Sequence, residues 1–282
     1  MIFLTGATSP TGVRLLARLL EMEKKVTCLV REPGKIALPE GARIVEGALE
    51  DLPENKNFLE GVTAVINVAH IRFARILVGL CEELGIDRAI FLSSTRRYSE
   101  LPDPTVREVI DEEKLICASS LKYSIIRPTM IFSNERDNNL SKVVTYLQRK
   151  NTFPIFGSGK NLVQPVFSRD VIEAIIAAIE RDAAMRKEYT ICGSEPMTYR
   201  RMVEIIAEEM GKKVRFIHIP MRVSAGVAAF AEALGVNVPL KALQIRRFAE
   251  NRAFDSSLAQ KELDFRPTDF REAIRLKLRG EA

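Results

Sequence analysis

The first twelve residues constrain everything that follows them. Met1-Ile2-Phe3-Leu4 is a short, uncharged apolar run, readable as a buried strand, and Thr5-Gly6-Ala7-Thr8-Ser9-Pro10-Thr11-Gly12 comes directly after it. An amphipathic helical pattern then begins, with Val13, Leu15, Leu16, Leu19 and Leu20 on one side and Arg14, Arg18 and Glu21 on the other. Strand, glycine turn and helix in that order is the setting in which a glycine fingerprint holds a dinucleotide. Gly6 lets the chain turn tightly off the strand, Gly12 lets the helix pack close to the sheet, and the helix N-terminus attracts a pyrophosphate. The usual spacing is G-x-x-G-x-x-G, and Ser9 holds the middle position. Its side chain either crowds a phosphate or donates a hydroxyl hydrogen bond to one.

At 282 residues the chain is long enough for one large domain, or for one domain and a smaller lobe. Lys and Arg outnumber Asp and Glu by 42 to 37, an excess spread along the chain that speaks for an anionic ligand and against a nucleic-acid footprint. Cys28, Cys81, Cys117 and Cys192 have no paired spacing, which argues against zinc and a disulfide framework and fits a reducing cytoplasm. With only His70 and His218 present, no histidine-based metal site is expected. No signal peptide is read ahead of the first strand. The least polar long stretch, Val223 to Leu240, is broken by Glu232, Gly235 and Asn237, so no transmembrane segment is expected.

Further apolar runs punctuate the first half: Val26 to Val30, Arg43 to Glu46, Ala64 to Asn67, Ala89 to Leu92 and Tyr123 to Ile126. Helical patterns lie among them, the clearest from Ile71 to Leu84 with Gly85 as its stop. Strands alternating with helices predict right-handed βαβ units and an α/β, doubly wound parallel sheet of Rossmann type. Ligands of such sheets sit at the carboxyl ends of the strands, so these strand exits line one crevice. Arg31 stands at the second exit, where NAD-specific domains carry an acid for the ribose hydroxyls. A guanidinium there suits a 2′-phosphate, which favours NADP(H) over NAD(H), with Glu32 adjacent as a counterweight.

The second half changes character. A glycine turn spans Phe156 to Lys160, Gln164 to Phe167 is extended, and Ser168 is placed to cap a helix from Arg169 to about Arg181. Glu188 to Cys192 reads as a strand, Thr198 caps a helix ending before Gly211, and the chain from about Pro220 is mainly helical, ending in a basic tail from Arg275 to Arg279. The division expected is a dinucleotide-binding domain over residues 1–165 and a smaller, mainly helical lobe over 166–282 with segments returning to the main sheet.

These motifs together resemble the extended and atypical short-chain dehydrogenase/reductases. The resemblance rests on residues 5–12, Leu29-Val30-Arg31, Glu46-Gly47-Ala48-Leu49, Val65 to Ala69, Phe91 to Thr95, Ile126-Arg127-Pro128, Gln164 to Phe167 and Asp170-Val171. The atypical branch, with NmrA-like NADP(H) sensors and accessory-subunit-like proteins of respiratory complex I, is the better match. Sugar-nucleotide epimerases are the neighbouring branch. The resemblance implies pyrophosphate contacts at Gly6, Thr8, Ser9, Pro10, Thr11 and Gly12, with Ala48 and Leu49 at the adenine. It also places Val68, Ala69 and His70 toward the nicotinamide, and Ser93, Pro128 and Thr129 near its ring.

In active members a Tyr-x-x-x-Lys pair supplies a general base beside a Ser or Thr that holds the substrate oxygen. Thr95 matches the Ser/Thr position, and Glu113 matches a glutamate common in the atypical branch. The pair should fall near Thr105 and Val109, and Leu101 to Ile110 contains neither tyrosine nor lysine. Stand-ins are Tyr98, with Lys114 too far along to share its helix face, and His70 as acid or base. Three readings follow: a dinucleotide-binding sensor, scaffold or assembly-type partner, a working reductase or epimerase/dehydratase using Thr95 with Tyr98, His70 or a substrate group, and a crevice that has lost its nucleotide. Substrate or protein partner stays open, as does monomer against homodimer.

Overall fold

Runs of residues buried on both faces become the inner strands of one sheet, while its edge strand over Arg43–Glu46 is exposed at three of four positions. In the computed structural model, which describes residues 1–133, 137, 140–233 and 242–280, strands β1 (Ile2–Thr5) and β2 (Val26–Val30) are buried at every position. That is the signature of a parallel sheet covered by helices on both sides. The first half runs β1, α1 (Pro10–Glu21), β2, β3 (Arg43–Glu46), β4 (Ala64–Asn67), α2 (Ala74–Leu84), β5 (Arg88–Leu92), α3 (Pro104–Ala118) and β6 (Lys122–Pro128). The second half begins with β7 (Ile131–Phe132), α4 (Leu140–Arg149), β8 (Thr152–Phe156), β9 (Leu162–Val163), β10 (Val166–Phe167), α5 (Ser168–Glu180) and β11 (Lys187–Ile191). It ends with β12 (Met197–Thr198), α6 (Tyr199–Glu209), β13 (Arg215–Ile219), α7 (Met221–Ala233), α8 (Ala242–Arg247), α9 (Ser257–Leu263) and α10 (Phe270–Arg279).

The main sheet has seven strands in the order β3-β2-β1-β4-β5-β6-β11, and every neighbouring pair is parallel. Strand order reverses between β1 and β4, which are paired from Ile2 with Ala64 to Thr5 with Asn67. Their carboxyl ends therefore flank the point where an open α/β sheet leaves its crevice. Apolar side chains of α1 and α5 cover one face, and those of α2 and α3 cover the other.

A third core belongs to a smaller lobe around Phe132, Val143, Leu147, Ile155, Met202, Ile206 and Ile274. Phe132 packs against Phe167 at 5.4 Å and against Phe270 at 5.6 Å between ring centroids, so the lobe is stitched to the sheet domain through β7 and β10.

Several local expectations need correction. Ser168 does not cap α5: it is the first helical residue, and its buried hydroxyl has no hydrogen-bond partner. The helix read from Ile71 opens as a 3₁₀ turn over Ile71–Phe73, and α2 starts at Ala74 before ending at Gly85 with φ 69°. The parallel pair β8–β13 joins segments some sixty residues apart, beyond the reach of local periodicity. The basic tail is not free: it lies in α10, where Arg275 pairs with Glu209 at 2.8 Å and Lys277 is buried on Asp137 at 2.8 Å. Of the Val223 to Leu240 stretch, the part through Ala233 lies in α7 and residues 234–240 fall outside the described residues. No helix among the described residues is long and apolar enough to cross a membrane.

Candidate functional site

The turn after β1 is built around two missing side chains. Gly6 has φ +76°, and a Cβ on it would lie 2.5 Å from the amide nitrogen of Ala69 at the exit of β4. A Cβ on Gly12 would overlap the carbonyl oxygen of Gly6. The two strand exits and the first turn of α1 thus converge more closely than any side chain permits, leaving bare backbone facing the crevice. Asn67, fully buried at the end of β4, accepts from the Thr5 hydroxyl at 2.7 Å and from the Ala69 amide at 3.2 Å, locking the two exits together.

Ser9 has a structural role in this turn. It is the N-cap of α1, and its Oγ accepts from the Gly12 amide at 3.0 Å while Pro10 occupies the first turn. That bond uses the hydroxyl as an acceptor and leaves its donor uncommitted, and no acidic residue opposes an anion in the first turn.

A cavity of about 300 Å³ runs from this turn past the ends of β2 and β3. Gly6, Thr8, Arg31, Leu49 and Ala69 line it. Ala48 sits half-buried between its lining neighbours Gly47 and Leu49 and does not itself line it. Arg72, stacked on Phe73 at 4.7 Å, adds a cation that the sequence did not single out. Arg31 is exposed and makes no ion pair among the described residues, whereas Glu32 is held by Lys35 at 3.0 Å. The residues present fit a dinucleotide: a glycine cradle, a helix N-terminus free of acids, and an unpaired guanidinium at the second strand exit.

A second cavity, of about 730 Å³, opens beyond the ends of β5 and β6 toward the lobe. Thr95, Tyr98 and Thr129 line it. The Thr95 hydroxyl donates to the carbonyl of Pro128 at 3.2 Å, and Pro128 itself is buried at the end of β6. The Thr129 hydroxyl donates to the carbonyl of Gln164. The Gln164 side chain then donates to the Gly193 carbonyl at 2.8 Å and accepts from the Phe254 amide at 2.9 Å, which clamps residues 252–254 across the sheet edge. That gives the Gln164-Pro165-Val166 segment its physical role.

Beneath Tyr98 lies a buried charge network. Glu113, on α3, takes two hydrogen bonds from Arg127 Nε at 2.9 and 3.1 Å and one from Nη2 at 2.8 Å, and it also meets Arg97 and the Ser93 hydroxyl. Arg127 further pairs with Glu188 on β11 and donates to the Tyr98 hydroxyl at 3.3 Å. Burial pushes the Arg127 guanidinium down, but the carboxylates of Glu113 and Glu188 outweigh it and hold the group above its ordinary value. For Glu188, burial raises the carboxyl, and hydrogen bonds from Arg127 and Cys117 with the arginine charges bring it below its ordinary range.

The expected residues therefore separate. Ser93 is buried and spends its hydroxyl on Glu113, and Val68 is buried behind Ala69. His70 lines neither cavity: it starts the 3₁₀ turn over Ile71–Phe73, where its Nδ1 accepts from the Arg72 amide at 3.3 Å and lies 3.9 Å from Glu108. Thr105 and Val109 stand on the first turns of α3, with Val109 buried. No group of three or more His, Cys, Asp or Glu side chains placed to hold a metal occurs among the described residues.

A family profile described as NAD(P)H-binding matches residues 6–155, more than half of the 282-residue chain. The chain is 26% identical over 204 residues to subunit 9 of the NADH dehydrogenase [ubiquinone] 1 alpha subcomplex, mitochondrial, of Arabidopsis thaliana, a match covering 71% of this chain and 50% of that one. It thus spans about half the length of that relative. It is 22% identical over 253 residues to the photosystem II assembly factor Ycf39 of Synechocystis, covering 81% of this chain and 73% of the factor. Among solved structures, the UDP-glucose 4-epimerase of Thermotoga maritima with UDP-glucose superposes with a TM-score of 0.79 at 16% identity, covering 99% of this chain and 97% of that one. The dTDP-glucose 4,6-dehydratase of Bacillus anthracis with NAD gives 0.79 at 14% identity, covering 99% and 95%. At these identities the likeness to solved structures carries the fold. By its matched domain the chain belongs to the NAD(P)H-binding family, and its seven-stranded parallel sheet has the fold of the epimerase and dehydratase structures above.

Proposed function

We propose that this protein binds NADP(H) in preference to NAD(H) and acts as a sensor, scaffold or assembly partner rather than through a Tyr-x-x-x-Lys pair. The observation that carries the cofactor preference is Arg31: a guanidinium without an ion pair among the described residues, lining the cavity at the end of β2, while the neighbouring Glu32 is engaged by Lys35. A 2′-phosphate supplies the acceptor that Arg31 lacks. Support for a non-enzymatic role comes from Thr105 and Val109, which hold the helix positions where the pair would stand. Two relatives, one a complex I subunit and one an assembly factor by name, point the same way. Three of the four free cysteines are buried, which supports a reducing compartment such as the cytoplasm.

Arg31→Ala is expected to weaken NADPH about 30-fold, roughly 2 kcal/mol, and to change NADH by less than about threefold. Calorimetric titration with each nucleotide reads the difference, and equal losses for both would remove Arg31 from the 2′-phosphate.

A second reading is favoured by one observation. Thr95 and Tyr98 line the same cavity, and Arg127 supplies positive charge beside the phenol oxygen. In this reading the protein is a reductase or epimerase/dehydratase in which Thr95 holds the substrate oxygen and Tyr98 moves the proton. Steady oxidation of NADPH by a carbonyl compound, lost at least 100-fold in Thr95→Ala with NADPH affinity retained, is its expected result. No turnover across a broad panel of aldehydes and ketones leaves the sensor reading standing.

A further inference from the structure

The larger cavity has a charged wall that neither Thr95 nor Tyr98 explains. Arg252 lies on an extended segment fixed by its backbone: its amide donates to the Leu162 carbonyl at 2.8 Å, and two residues on, the Phe254 amide reaches Gln164. Its side chain lines the cavity, yet Nε is buried without a hydrogen-bond partner, and the guanidinium makes no hydrogen bond or ion pair among the described residues. Two of the nearby acids are engaged elsewhere, whereas the Glu100 carboxylate on the same wall makes no ion pair with Arg252. Glu250 Oε1 accepts from the Ser99 hydroxyl at 2.7 Å and the Glu100 amide at 3.1 Å, and Asp103 pairs with Arg247. Burial lowers the Arg252 guanidinium below its ordinary value, with Glu250 and then Tyr199 opposing it, as befits a desolvated cation. Nε is thus desolvated without an acceptor while the half-buried side chain keeps Nη1 and Nη2 open, and arginine does not escape the cost of that burial by losing its proton.

We propose that Arg252 seats the oxyanion head group, carboxylate or phosphate, of a small organic ligand in this cavity. The proposal rests on reading the cavity as the substrate end of the NADP(H) crevice. The planar fork of arginine matches either head group with two parallel hydrogen bonds. Arg96 and Arg247 line the same cavity and add to the field there. The ligand's body has an apolar, aromatic surface to lie on: Tyr98 and Phe254 stand with ring centroids 5.4 Å apart, beside Val163 and Met130. A volume of about 730 Å³ suits an organic molecule rather than a lone inorganic ion. Glu100 and Glu250 also line the cavity, so a cationic or neutral ligand is the competing outcome.

The test is calorimetric titration of the full chain, with and without saturating NADPH, using benzoate, phenyl phosphate, benzyl alcohol and benzylamine as probes. One or both anions are expected to bind at least tenfold more tightly than the alcohol and the amine. The two anionic arms tell a carboxylate seat from a phosphate seat. Arg252→Gln is expected to lose anion affinity at least tenfold, while NADPH affinity and the thermal midpoint stay within error of the wild type or above it, because the side chain holds no partner among the described residues. Arg252→Lys, which keeps the charge but not the fork, should fall between the two. The proposal is overturned if neither anion binds, if benzyl alcohol or benzylamine binds as well, or if Arg252→Gln keeps the anion. Anion binding that depends on Arg252 in a chain that binds no NADPH would leave the seat in place and remove the cofactor reading alone.

Discussion

Gly12→Ala is expected to weaken NADPH at least 100-fold, about 3 kcal/mol, and to lower the unfolding free energy by about 1–3 kcal/mol. A single methyl group there would overlap the Gly6 carbonyl oxygen and crowd Cα of Ala7, both backbone atoms with no rotamer to yield. The first turn of α1 must then move off the end of β1. That motion separates the helix N-terminus and the capped Ser9 hydroxyl from the bare Gly6 backbone, so donors and cradle no longer meet on one pyrophosphate. Calorimetry with NADPH and urea denaturation monitored by circular dichroism read the two effects. Binding within threefold of the wild type would sink the cradle, and with it the fingerprint as the source of affinity. Because the pyrophosphate is common to both nucleotides, NADPH and NADH should suffer alike.

The second large effect is expected in the charge network under Tyr98. Glu113→Ala leaves Arg127, only 4% exposed, with three hydrogen bonds unmade and Arg97 and Ser93 without their shared acceptor. Breaking a buried pair from one side costs about 3–5 kcal/mol, and urea denaturation should show that loss. Replacing both charges with apolar groups of similar volume, as Glu113→Leu with Arg127→Met, should restore part of it, since neither side is then left as an orphaned charge. A loss under about 1 kcal/mol for Glu113→Ala would reduce the network to ornament. The network also has a pH signature. Glu188 titrates below its ordinary 4.5 in the folded protein, so its contribution is present above that value and is lost as pH falls through the lowered one. Glu188→Gln should therefore flatten the acid limb of the stability curve, and an unchanged limb would remove Glu188 from it.

Both effects locate where sequence and tertiary structure divided the work. The β1–turn–α1 unit was legible because its chemistry is local. Gly6, Ser9 and Gly12 lie within seven positions, and hydrophobic period, glycine placement and helix start all follow from neighbours along the chain. The strand exits at Arg31, Thr95 and Pro128 lie along one edge of the sheet by parallel topology alone, although Arg31 and Thr95 line different cavities. Ser168 misled because a hydroxyl before an apolar run has the same sequence signature whether it caps the helix or begins it, and only the buried packing of α5 decides.

Distant pairing was not legible. Glu113 and Arg127 were visible as members of motifs, yet nothing in their spacing says that a strand-end arginine will turn inward onto α3 and reach Glu188 as well. His70 has the strand-exit position of a nicotinamide neighbour, but the 3₁₀ turn that follows points it toward Glu108 and away from both cavities. Arg247 and Arg252 carry no motif, since α8 is short and the segment after it has no period. Arg252 shares a cavity with Thr95 and Tyr98 because Gln164 and Leu162 hold its segment across the sheet edge, and Arg247 is tied there by Asp103. The sequence alone determined the parallel sheet and the close backbone approach at Gly6 and Gly12, because these depend on local periodicity and on backbone freedom. The charged cavity and the network beneath Tyr98 were decided only in three dimensions, because burial and charge pairing arise between residues that the chain itself keeps far apart.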